Sequence, residues 1–175
     1  LKKLERHFYT TSSCGVCGKS SIEALSTGAS PIENADDFRV KAEKIKTLPA
    51  ILRKSQSVFD ETGGLHAAGL FDRHGQLLDL KEDVGRHNAV DKVIGEQFLE
   101  GKLPLNDKIL FLSGRASFEL IQKAVMAQIP VVAAVSAPSS LAVRAANEFN
   151  ITLMGFVRNV KFNVYTGNDR VIHEA

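Results

Sequence analysis

The chain is poor in the residues that would tie it to several familiar classes. It has only two cysteines in 175 residues, so no disulfide framework of the kind that holds small secreted domains together can form. No apolar run approaches the length needed to span a bilayer, and no N-terminal signal peptide is visible. Formal net charge is only +2, too close to zero to argue by itself for a nucleic-acid partner. The five histidines show no H-x3–5-H spacing and there is no second C-x-x-C pair, which argues against a structural zinc site. Neither G-x-G-x-x-G nor G-x-x-x-x-G-K-[ST] occurs, so neither a Rossmann nor a P-loop reading is supported. There is no internal repeat and no low-complexity tract. What remains is ordinary globular material, 44% hydrophobic and 24% charged, long enough for one compact domain with a small appendage. A reducing cytosol is the default compartment. The chain opens on Leu1 rather than Met, as a piece of a longer protein would.

The two cysteines sit together, as Cys14 and Cys17, in Thr10-Thr11-Ser12-Ser13-Cys14-Gly15-Val16-Cys17-Gly18-Lys19. A thiol acts as nucleophile or metal ligand only as thiolate, and cationic or polar neighbours favour that form. The glycines and hydroxyl residues point to a mobile loop. Three readings stand: a sulfur- or electron-handling thiol pair, half of a zinc site, or two packed cysteines. Packing is the weakest, because the run has little apolar company. A thioredoxin-like motif would follow a buried strand, and the residues before Cys14 are polar.

Residues 1–42 form an N-terminal segment carrying this loop, and residues 43–175 an α/β domain. A helix is expected over about 47–59, with Pro49 in its first turn and Ile51, Leu52, Ser55, Val58 and Phe59 on one face. Leu65–Phe71 and Gln76–Leu80 flank Asp72-Arg73-His74-Gly75 as a β-hairpin. Small residues on its first strand imply a close neighbour, helix or ligand. The alternation is then regular. It gives a helix at about 86–99 with Val90, Val93, Ile94, Gln97 and Phe98 inward, a strand at 108–113, and a helix at about 117–128. A strand at 131–135, a helix at about 139–149, and strands at 151–157 and 162–166 complete it. Strands alternating with helices argue for an α/β sheet, parallel in its second half.

Open α/β sheets bind ligands at the carboxyl ends of their strands. The three ends read Ser113-Gly114-Arg115-Ala116-Ser117, Ser136-Ala137-Pro138-Ser139-Ser140 and Phe156-Val157-Arg158-Asn159-Val160-Lys161. Free N–H groups at helix starts and the cations Arg115, Arg158 and Lys161 suit an anion. Taken singly, each turn reads as ordinary capping, by Ser117 and by Ser136 or Ser139. Taken together on one edge, they favour a phosphate-bearing ligand. Glu82-Asp83-Val84-Gly85-Arg86-His87-Asn88 is the densest polar run, either a capped turn with Asp83 as the cap or a wall of the same site.

These stretches carry a family resemblance. Cys14-Gly15-Val16-Cys17-Gly18, Thr62-Gly63-Gly64-Leu65-His66-Ala67-Ala68 and Glu82 through Lys92 occur in that order. They are followed by Ser113–Ser117, Ala134–Pro138, Leu153–Phe156 and Asn163–Thr166. Together they make the chain similar to the C-terminal part of the formate dehydrogenase accessory sulfurtransferases, the FdhD family, without the additional N-terminal domain of its members. The resemblance implies an α/β three-layer sandwich with a mixed sheet, cytidine-deaminase-like. The deaminase H-x-E and P-C-x-x-C are absent, so zinc hydrolytic chemistry is not expected.

It also implies a task, the transfer of persulfide sulfur from a cysteine desulfurase to the molybdenum or tungsten bis-guanine-dinucleotide cofactor that formate dehydrogenase requires. The family's persulfide carrier falls on Cys14, and its cofactor-contacting segment on Phe156, Val157, Arg158, Asn159, Val160 and Lys161. Cys17 is expected to help release the sulfur by closing a disulfide with Cys14. Ser113, Arg115 and Ser136 are expected to join the cofactor cradle, for which a guanine nucleotide is a surrogate. The resemblance favours a homodimer; from the composition, the chain is expected in the cytoplasm with no membrane or nucleic-acid partner, and no resident metal is expected. A cofactor-binding chaperone with structural or zinc-bound thiols, and a generic nucleotide-binding α/β enzyme, are the competing readings.

Overall fold

A computed structural model describes Ile22, residues 28–32 and residues 37–173. The thiol loop, with Cys14 and Cys17, lies outside the described residues. The elements are β1 (Val40–Lys41), α1 (Ala42–Ser55), α2 (Ser57–Thr62), β2 (His66–Phe71), β3 (Leu77–Asp83), α3 (Arg86–Leu99) and β4 (Ile109–Leu112). They continue with α4 (Phe118–Met126), β5 (Val131–Ala134), α5 (Ser140–Glu148), β6 (Thr152–Gly155), β7 (Asn163–Thr166) and β8 (Val171–Ile172).

Six strands form one mixed sheet in the order β3-β2-β4-β5-β6-β7. The β4, β5 and β6 strands run parallel, while the β2–β3, β2–β4 and β6–β7 pairs are antiparallel. The parallel strands read as unbroken apolar runs because both faces are covered. Ile109 and Phe111, with Val131 and Ala133, face α1, whose Ala42, Ile45, Leu48 and Leu52 are buried against them. Leu110 and Leu112, with Val132 and Ala134, face α3, α4 and α5. The result is three layers, helix on sheet on helices. The Phe71 and Phe111 rings meet edge to face, with centroids 6.2 Å apart, on the α1 side. The β1 and β8 strands form a separate parallel pair.

The first long helix differs from expectation. It begins at Ala42, so Pro49 stands in its interior rather than its first turn. An interior proline costs about 3 kcal/mol. Burial of Ile45, Leu48 and Leu52 contributes about 1.5–3 kcal/mol each, which outweighs it. The break falls at Gln56, and α2 follows with Val58 exposed. The buried stripe of α3 is Ala89, Val90, Val93 and Gln97, whereas Phe98, expected inward, is 67% exposed. The close neighbour of the small residues on β2 is a helix: a Cβ on Gly69 would stand 2.6 Å from Leu52 Cδ1.

Candidate functional site at the strand-end edge

Register decides which residues share an edge. His66 at the start of β2 pairs with Asp83 at the end of β3, and Ala68 pairs with Leu112 at the end of β4. The carboxyl ends of β4, β5 and β6 therefore share their edge with His66, Asp83 and the start of β7. Backbone hydrogen bonds lock the three turns together. Ser136 N–H donates to Gly114 O at 3.3 Å, and Ser139 N–H to Ala116 O at 2.9 Å. Phe156 N–H donates to Ser136 O at 3.3 Å, and Val157 N–H to Ala134 O at 3.0 Å. A Cβ on Gly155 would stand 2.9 Å from Pro138 Cδ and 3.2 Å from Ser136 O. Gly155→Ala is thus expected to push the third turn off the second. A loss of about 1–3 kcal/mol in urea unfolding is the result to look for.

The segment 156–161 has a strained entry. Phe156 has φ +52, in the left-handed region that bulky side chains avoid, and its side chain is 43% exposed. Val157 is fully buried in the core on the α1 side, so it holds the loop and offers a ligand no side chain. Arg158 N–H donates to Lys161 O at 2.9 Å, closing a turn. The Arg158 guanidinium donates from Nη1 to Val135 O at 2.5 Å and to Val157 O at 2.9 Å. That aims the fork along the strand ends and leaves Nε and Nη2 without a protein acceptor among the described residues. Asn159, Val160 and Lys161 are exposed.

The other expected residues separate by role. Ser113 Oγ accepts from Ala67 N–H at 2.8 Å. Ser136 takes part through its backbone. Ser139 is an N-cap, accepting from Ala142 N–H at 3.1 Å, but Ser117 makes no capping bond. Its hydroxyl instead meets His87 Nε2 at 3.2 Å. Arg115 is exposed, and its side chain makes no ion pair among the described residues.

Two clefts open on this edge. One, of about 200 Å³, lies toward α4 and α5 and is lined by Arg86, Arg115, Ser117 and Ser139. The other, of about 460 Å³, lies under α1 and α2 and reaches Ser113 and Val135. A larger groove of about 690 Å³ runs between α3 and α4, but none of the strand-end residues lines it.

The polar run 82–88 divides between scaffold and site. Glu82 carboxylate accepts from Val58 and Phe59 N–H at 3.0 and 2.9 Å, tying down the start of α2. Asp83 is paired with Lys92 at 2.5 Å and accepts from Gly85 N–H and Asn88 Nδ2. Lys92 first, then those two donors, lower its pKa to about 2. Asp83 is therefore not a helix cap but the brace of the turn; Gly85 takes the cap position of α3. Arg86 reaches the smaller cleft. Burial, with the Arg86 charge beside it, holds His87 below the usual imidazole range, although Glu119 Oε2 lies 3.9 Å away.

The signs for pH follow. Near pH 6.5 and below, the unfolded chain binds the His87 proton more readily than the folded one. Stability is full above that value and falls as pH drops below it. Asp83 contributes fully above its unfolded value of 3.8, and that contribution is lost as pH falls toward about 2. Urea midpoints across this range should fall in both windows. His87→Gln should flatten the upper limb, and Asp83→Asn the lower one; unchanged limbs in these variants would assign the titration elsewhere.

Sequence reasoning missed the cleft under α1 and α2. Gln56 lines it, yet a lone glutamine between two helices carries no signal in a sequence. Among the described residues, no group of three or more His, Cys, Asp or Glu side chains is placed to hold a metal ion. No helix among them is long and apolar enough to cross a membrane.

Comparison with known proteins gives this edge a lineage. The profile of the FdhD/NarQ family matches residues 1–172. The chain belongs to that family. A sulfur carrier protein FdhD from Streptomyces coelicolor is 60% identical over 173 residues, covering 98% of this chain and 61% of the relative. One from Picrophilus torridus is 47% identical over 167 residues, covering 95% of this chain and 63% of the relative. This FdhD/NarQ chain thus spans about three-fifths of the length of the relatives it matches. Among solved structures, a Desulfotalea psychrophila protein assigned as a formate dehydrogenase accessory protein superposes with a TM-score of 0.75 at 29% identity. It covers 86% of this chain and 62% of that one. The α/β architecture is shared with it.

Proposed function

We propose that this chain is a sulfurtransferase that carries sulfur as a persulfide on Cys14 and delivers it to a molybdenum or tungsten bis-guanine-dinucleotide cofactor, its substrate, for use by formate dehydrogenase. The observation that carries the reading is a cation-bearing edge of three interlocked turns, in a chain whose only thiols form one C-x-x-C pair. The names of the sulfur carrier relatives support it. In the first step the Cys14 thiolate attacks the outer sulfur of a cysteine desulfurase persulfide. The desulfurase cysteine leaves as thiolate, and Cys14 gains one sulfur. In release, the Cys17 thiolate attacks Cys14 Sγ, the outer sulfur departs as sulfide to the substrate, and a Cys14–Cys17 disulfide forms. A thiol reductant resets the pair. The substrate's guanine nucleotide ends are held at the strand edge, where the open fork of Arg158, Arg115, Lys161 and the helix N-termini meet phosphate. The setting is a cytoplasmic homodimer. The test is mass spectrometry after incubation with a desulfurase and cysteine: one added sulfur on Cys14 supports the reading, and stoichiometric zinc on the two thiols sinks it.

A further inference from the structure

Phe98 and Met126 stand in water on the groove between α3 and α4, 67% and 60% exposed. Ile94, Gly95 and Phe98 line it from α3, and Glu119, Lys123 and Met126 from α4. Each trio follows helical spacing, so each helix contributes one ridge. Aromatic and methionine side chains held out on such ridges are the usual anchors for a bound helix.

Gly95 has no reason inside the chain. It lies in the interior of α3, where glycine is less stable than alanine. Its backbone is ordinary helix, and a Cβ there would meet nothing within 4 Å among the described residues. A missing side chain in a groove lets a second backbone approach closely.

The ionisable lining is two acids against one base. Lys123 is paired with Asp91 at 2.6 Å, which leaves the Glu119 charge over. The buried Oε2 of Glu119 has no hydrogen-bond partner among the described residues. His87 Nε2 lies 3.9 Å from it, but that imidazole is held below its usual range and is neutral near pH 7. The groove therefore suits apolar side chains together with one cation.

It also borders the root of the thiol segment. Ile22 is buried in the core that α3 and α4 cover, and Gln128 Nε2 donates to Ser30 O at 3.3 Å beside Met126. Cys14 precedes Ile22 by eight residues, a reach of at most about 29 Å. None of the strand-end residues lines the groove, so a partner seated there leaves that edge open to the substrate.

We infer that the groove docks an amphipathic helix of the sulfur donor, with apolar side chains on Phe98 and Met126, its backbone over Gly95 and one Lys or Arg toward Glu119. The inference rests on the persulfide-carrier reading above and adds the surface on which the donor sits while Cys14 is loaded.

Sulfur loading of Cys14, followed by mass at increasing desulfurase concentration, tests it. Gly95→Gln fills the groove and should be at least as stable as wild type in thermal unfolding. It should nevertheless raise the half-saturating desulfurase concentration about tenfold or more, with the end point still one sulfur. Phe98→Ser, a change at an exposed position, should do the same and guards against a folding defect in the first variant. Glu119→Gln should reduce the salt dependence of loading. Guanosine diphosphate should bind all three variants as it binds wild type. A photoreactive p-benzoylphenylalanine at position 98 should cross-link to a helical segment of the desulfurase that carries Lys or Arg.

Unchanged half-saturation in either Gly95→Gln or Phe98→Ser overturns the inference and leaves the carrier function standing. Cross-links to a second copy of this chain overturn it too, and assign the groove to self-association. No sulfur on wild-type Cys14 removes the carrier reading itself, and the docking site falls with it.

Discussion

Cys14→Ala is expected to take up no sulfur at all. After incubation with a cysteine desulfurase and cysteine, wild type should gain one sulfur by mass and the variant none, and formate dehydrogenase activation should disappear with it. The physical basis is that only a thiolate attacks the donor's persulfide, and the one thiol left in the variant, Cys17, is the releasing thiol, which the proposed cycle does not load. The fold should survive, because the described residues already supply two extensive hydrophobic cores, one on each face of the sheet. Thermal unfolding of the variant checks this. Cys17→Ala should load as wild type does and then hold its sulfur, with release slowed rather than capture. Retained activation in Cys14→Ala would reject the persulfide role. Equal loss of loading in both variants, with zinc bound in wild type, would turn the pair into a metal site.

Arg158→Ala should weaken guanosine diphosphate by about tenfold or more in a calorimetric titration, since a charge-assisted hydrogen bond is worth roughly 1.5–3 kcal/mol. The structure gives this prediction a geometry. Two strand-end carbonyls fix Nη1, so the rest of the fork is preorganised and little side-chain entropy is lost on grasping a phosphate. Lys161→Ala should cost less, because its exposed ammonium has no such anchoring. Cys14→Ala should bind the nucleotide as wild type does, which separates nucleotide binding at the interlocked turns from thiol chemistry. Unchanged affinity in Arg158→Ala would place the phosphates elsewhere on the edge, and loss in Cys14→Ala alone would deny that separation.

Much of the frame was legible in the residues. Apolar runs at Ile109–Leu112 and Val131–Ala134, each followed by an amphipathic stretch, dictate parallel strands with covering helices, because burial along one element leaves a period in its own sequence. The thiol pair and the three turns at the strand ends are equally local features. Choices made between elements left no such trace. Ser117 reads as a cap, but its hydroxyl goes to His87, thirty residues earlier in the chain. Glu82 reads as part of either a capped turn or a site wall, but the α2 amides take both its oxygens. Pro49 reads as a helix start, but the Ile45–Leu48–Leu52 stripe carries the helix through it. Gln56 reads as nothing until α1 and α2 fold over the ends of β4 and β5. A polar side chain takes its role from whichever donor or acceptor the sheet register and the crossovers bring within about 3 Å, and that distance is set by the whole fold rather than by neighbours in the chain.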